Sequence, residues 1–161
     1  MKSKGFSLIE MLVAGALFAM VMVGVIEMNI NSQRVARTQE INIEMNSIMA
    51  TSIKVLSNPD SCMHTFLGLG EIKDKMMVPA IKNHGGKTIF ALDRKYGNNL
   101  LKITEIFLGE LNLSAHTFNL HITFEKQGKG FYGAKTIYKY IPFTLEVDGA
   151  NNLIKCSVLK K

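Results

Sequence analysis

Apolar positions along the chain fall into three regimes. Over residues 6–26 they are nearly continuous, interrupted by Ser7, Glu10 and small glycines. Over residues 27–57, a stretch with no Gly or Pro, they recur at helical spacing as Ile41, Met45, Ile48, Ser52 and Leu56, with Met49 and Ile53 beside them. After Gly86 they alternate with period two.

Each regime predicts an element. As a helix the first block covers about 31 Å, close to the hydrocarbon thickness of a bilayer. It is longer than the apolar core of a secretory signal and ends at Val25-Ile26-Glu27-Met28, which offers no small-residue cleavage site. The second block predicts an amphipathic helix whose stripe is ready for a sheet, with Glu40, Asn42, Glu44, Asn46 and Lys54 on the other face. Asn58-Pro59 ends it, because the residue before a proline disfavours the α region. One continuous helix over residues 6–57 would be about 78 Å long; the alternative is two helices hinged near residues 29–32.

Gly68, Gly70, Pro79 and Gly85-Gly86 punctuate residues 58–86, which reads as a long loop with short helical turns. Strands follow at residues 88–92, at Leu101, Ile103 and Phe107, at Phe118, Leu120, Ile122 and Phe124, at Ile137, Ile141, Phe143, Leu145 and Val147, and at 153–159. Cys156 is in phase with Ile154 and Val158. Pro142 suggests an edge or a bulge. Turns fall at Gly97-Asn98-Asn99 and at residues 148–152. One strand set after one long helix means an α+β fold, an antiparallel sheet with its apolar face on the helix stripe.

Charge adds topology. The formal net charge of the 161 residues is +6, and Lys2 and Lys4 precede the apolar block. By the positive-inside rule the N-terminus stays cytoplasmic and the C-terminal domain is exported. Cys62 and Cys156 are the only cysteines and lack C-x-x-C spacing. A disulfide between them suits an extracytoplasmic domain and would close a loop of roughly 95 residues, on the order of 4 kcal/mol in the chain-entropy model. Two unrelated buried thiols are the other reading.

Glu10 is the only ionisable side chain over residues 6–26. A carboxylate inside hydrocarbon costs several kcal/mol unless it is paired or near the interface. The opening M-K-S-K-G-F-S-L-I-E-M-L-V-A resembles the class III signal of type IV pilins and of the pseudopilins of type II secretion. The resemblance implies that a prepilin peptidase cuts between Gly5 and Phe6 and that the Phe6 amine is methylated. It also implies that Glu10 pairs with the N-terminal amine of a neighbouring subunit, two costly charges compensating each other. It covers about residues 1–30. Many major pilins carry a proline late in this helix; Glu27 stands at the comparable position here, which favours a minor pilin or a pseudopilin.

The resemblance divides the chain into a leader (1–5), a membrane-spanning half-helix (6–26), an amphipathic half-helix (27–57), a variable segment (58–86) and an antiparallel sheet domain (87–161). Implied partners are other pilin or pseudopilin subunits, prepilin peptidase, an inner-membrane assembly platform and membrane lipid. The domain would face the periplasm before assembly into a pilus or pseudopilus. A bridge from Cys62 to Cys156 would staple the last strand to the segment after the helix, and similar staples occur in many pilins.

Chemistry is thinly represented. Gly128 to Gly133 spells G-x-G-x-x-G, but a strand pattern follows it where a dinucleotide site needs a helix N-terminus. Of His64, His84, His116 and His121, none pairs at metal-ligand spacing except Cys62-x-His64, and His121 falls on the polar side of its strand. No nucleophile has a plausible base, so neither catalysis nor a cofactor or metal is expected. Lys126, Lys129 and Lys135 cluster around the glycine loop with Phe131, Tyr132, Tyr138 and Tyr140 among them, a pattern that could grip single-stranded DNA or an anionic surface at a filament tip. The other reading is a solvated, mildly basic loop. Loss of Lys2 and Lys4 would take the formal charge from +6 to +4, too modest to argue for nucleic acid alone.

Overall fold

A computed structural model describes residues 7–67, 69, 73–112, 117–148 and 153–159. The chain divides into two compact units, Met1–Gln39 with Gly130–Tyr132, and Glu40–Lys129 with Gly133–Lys161. One unbroken helix, α1 (Leu8–Leu56), supplies residues to both, with no hinge at residues 29–32.

In the first unit the helix over residues 8–26 is exposed along its whole apolar surface. By length and composition α1 can cross a membrane.

In the second unit the buried helix positions are Ile41, Met45, Ile48, Ser52 and Leu56, the stripe read from periodicity. The helix stops where Asn58 turns extended, at φ −82° and ψ 123°. The same residue starts the next element. Asn58 Oδ1 accepts hydrogen bonds from the Asp60 and Ser61 amides, and Pro59 takes the first turn of α2 (Pro59–Phe66), where its missing N–H costs nothing. The expected loop over residues 58–86 is therefore partly ordered secondary structure.

Two sheets follow rather than one. β1 (Ala80–Lys82) and β2 (Thr88–Ala91) form a separate antiparallel hairpin. The strand expected at residues 88–92 belongs to this hairpin because β1, too short to read from alternation, takes its edge. The main sheet is an antiparallel meander in the order β3 (Lys95–Tyr96), β4 (Leu101–Asn112), β5 (Thr117–Lys126), β6 (Thr136–Val147) and β7 (Leu153–Val158).

Two bulges correct the faces read from period two. The β4–β5 register shifts between Ile103 and Glu105. One extra residue on β4 reverses the phase, so Ile106 and Leu108 join Leu101 and Ile103 in the core and Phe107 turns outward. The β6–β7 register shifts between Glu146 and Val147, which leaves Ile154 59% exposed while Cys156 is buried.

Pro142 is neither at an edge strand nor at a bulge: β6 pairs on both sides, and Asn119 faces Pro142 in unbroken register. Its carbonyl accepts from the Leu159 amide, 3.0 Å. The N and C=O of one residue in an antiparallel strand point to the same side. The missing N–H therefore faces past the end of β7, and no bond to β5 is lost.

Cys62 on α2 and Cys156 on β7 are joined by a disulfide, Cα–Cα 6.0 Å, with both residues buried. Beside it, Phe66 meets Phe118 and Phe143 edge-on at 5.7 and 6.2 Å. Thr65 Oγ1 donates to the Ser61 carbonyl and accepts from the Lys82 amide, tying α2 to β1. At the turn before β4, Gly97, Asn98 and Asn99 all have positive φ, 57°, 52° and 65°. A Cβ on Gly97 would collide with the Glu44 side chain.

Three substitutions test these contacts by thermal or denaturant unfolding of the detergent-solubilised protein. Gly97→Ala should cost about 1–3 kcal/mol, from strain at positive φ plus the Glu44 collision. Ser52→Ala should be neutral or stabilise by up to about 1 kcal/mol, because Ser52 Oγ is buried without a hydrogen-bond partner among the described residues. Cys156→Ser should destabilise by about 2–5 kcal/mol.

Candidate functional site

The first turn of α1 holds Glu10. The Ser7 amide donates to Glu10 Oε2 at 2.9 Å, and the Ile9 amide donates to Ser7 Oγ at 3.4 Å. Ser7-Leu8-Ile9-Glu10 is thus an S-x-x-E capping box, in which hydroxyl and carboxylate satisfy otherwise orphaned N–H groups. An acid here also complements the positive end of the helix dipole. The S-x-x-E spacing is the sequence signal of this capping role, which the reading of Glu10 as a lone acid in an apolar run left out. Gly5 and Phe6 lie outside the described residues.

The basic and aromatic residues of the glycine loop do not form one open cluster. Lys126 is 3% exposed. Lys135 Nζ pairs with Glu125 Oε1 at 2.6 Å, and this cation, with a hydrogen bond from Gln127, holds the Glu125 carboxyl below the usual range. Lys129 is exposed. Phe131 and Tyr132 group with the first unit. There Tyr132 is hooked to α1 twice: its amide donates to Thr38 Oγ1 at 2.9 Å and its hydroxyl donates to Asn31 Oδ1 at 3.0 Å. No local pattern signals bonds between residues 94 and 101 positions apart.

On the outer sheet face Phe107 stacks on His121, centroids 4.8 Å apart and planes 5° apart, and Tyr140 tilts against the same imidazole at 6.1 Å. His121, which falls on the polar side of its strand, is half-buried beside these two rings. The β4 bulge brings Phe107 there. His116 lies outside the described residues. Among the described residues no group of three or more His, Cys, Asp or Glu side chains could hold a metal ion.

A long N-terminal helix, apolar in its first half and packed on an antiparallel sheet in its second, is a pilin-like arrangement. The sequence comparison agrees: residues 1–26 match the family model described as the prokaryotic N-terminal methylation motif. The chain therefore carries the prepilin signal of type IV pilins and pseudopilins. No curated protein and no solved structure matches it.

The Glu125 ion pair predicts an acid-side effect. Its lowered carboxyl pKa contributes stability that is present above the unfolded value, about 4.3, and lost as pH falls through the folded value. Melting curves between neutral and acid pH should show a shallower acid-side decline for Glu125→Gln than for the unsubstituted protein.

Proposed function

We propose that this chain is a structural subunit of a type IV pilus or pilus-like filament, a minor pilin or a pseudopilin. The observation that carries the reading is the methylation motif over residues 1–26, with Glu10 as the only ionisable side chain between residues 6 and 26. The chain waits in the inner membrane with its N-terminus in the cytoplasm and its sheet domain in the periplasm. The positive charges of Lys2 and Lys4 and the buried disulfide both support that orientation.

Prepilin peptidase removes residues 1–5, and the amine of Phe6 is methylated. An inner-membrane platform then moves the subunit into a filament in which the exposed apolar helix surfaces bundle. Within one subunit the described hydrogen-bond partner of Glu10 is the Ser7 amide. A carboxylate can accept several hydrogen bonds, so it keeps capacity for the cationic amine of an adjoining subunit. In low dielectric that pairing stabilises both charges and sets the stagger between neighbours. The function follows from packing, with no catalytic step.

N-terminal sequencing of the membrane fraction tests the processing step. N-methylated Phe6 is expected as the first residue in cells with active peptidase, and an intact Met1 would contradict the assignment. Gly5→Leu should block cleavage. Glu10→Ala should be cleaved yet enter filaments poorly, read by shearing and immunoblotting; normal incorporation would remove the pairing role.

A further inference from the structure

The Tyr132 hook fixes where the glycine loop stands along the helix. Its amide is held at Thr38 and its hydroxyl at Asn31, so the side chain runs along α1 toward the apolar segment. Asn31 is five residues past Ile26, about 8 Å at helical rise. The headgroup layer extends roughly 5–8 Å beyond the hydrocarbon. The hydroxyl end of Tyr132 therefore stands at the outer headgroup level when the apolar segment spans the bilayer. Arg34 lies on the same helix stripe, between Asn31 and Thr38, about 12 Å past Ile26 and with a side chain long enough to reach down to phosphates. It is exposed, and among the described residues no carboxylate pairs with it. Glu27, one residue past Ile26, sits at the base of the stripe, below the phosphates.

We propose that the loop tip Gly130–Tyr132, together with Arg34, docks on the anionic headgroup surface of the bilayer in the unassembled subunit. Tyr132 is 44% exposed, and its ring with a polar hydroxyl has the amphipathic character that concentrates at membrane interfaces; Phe131 beside it is half-buried. A guanidinium offers bidentate hydrogen bonds to a phosphate, and the negative surface potential of anionic lipid attracts it. The loop tip is continuous with the span through the hook, so lipid meets it without any further change of conformation. Docking holds the subunit at a defined depth until assembly lifts it out, when these contacts are released.

This inference rests on the membrane-inserted reading, and the experiment separates the two. The chain contains no tryptophan, so one indole reports one position. Full-length protein is reconstituted into vesicles carrying a nitroxide either on the headgroup or mid-chain. Phe18→Trp should be quenched by the mid-chain label. Phe131→Trp, which leaves the hook intact, and Tyr132→Trp should each be quenched by the headgroup label and spared by the mid-chain label. Replacing phosphatidylcholine with phosphatidylglycerol should deepen headgroup quenching at position 131, and Arg34→Gln should abolish that gain.

Quenching at position 18 without headgroup quenching at 131 and 132 overturns the docking alone. Absence of quenching at position 18 overturns the membrane reading and the docking with it. Headgroup quenching at 131 that Arg34→Gln leaves unchanged removes Arg34 from the docking surface.

Discussion

A single helix has to satisfy two solvents. Over residues 8–26 α1 offers almost nothing that water can solvate, and over residues 41–56 it offers a narrow stripe that fits one face of a sheet. A helix meets both demands because its backbone hydrogen bonds are internal to the segment, whatever surrounds it. The exception is the first turn, where the leading N–H groups have no helical partner. Ser7 and Glu10 satisfy two N–H groups there, those of Ile9 and Ser7, which gives the acid a reason to be there even before a second chain is considered. A carboxylate that caps its own helix still has lone pairs to accept further hydrogen bonds, which the proposed pairing would use.

The sheet domain depends on a different device, the local reversal of strand phase. Without the β4 bulge, Phe107 would enter the core and Ile106 and Leu108 would face water. With it, Phe107 stacks on His121, and β4 gives the core Leu101, Ile103, Ile106 and Leu108. The disulfide and the Phe66 cluster then pin α2 to the far side of the meander, so the segment between helix and sheet is held by both a covalent bond and aromatic packing. At the tip of the glycine loop the hydrogen bonds of Tyr132 go to α1.

Glu10 stands out from residue types alone. A lone acid after K-G-F-S-L-I, in an apolar run of membrane-spanning length, points to its surroundings because its cost in oil is so high. The loop lysines were less legible. Three lysines within ten residues look alike in sequence, yet one is buried, one is paired with a carboxylate and one is exposed. Burial and pairing depend on neighbours that local composition does not name.

By itself the sequence determined a long helix followed by alternating strands, the buried stripe Ile41–Met45–Ile48–Ser52–Leu56, the end of the helix at Asn58-Pro59 and the N-terminal signal. Each follows from spacing or from a preference carried by a few adjacent residues. Only the tertiary structure decided the phase of β4 and β7, the separate β1–β2 hairpin, the bond between Cys62 and Cys156, and the hook of Tyr132 on Asn31 and Thr38. All of these join residues far apart in the chain. Their geometry is set when strands choose a register and loops close, and that choice leaves no local mark on side-chain periodicity.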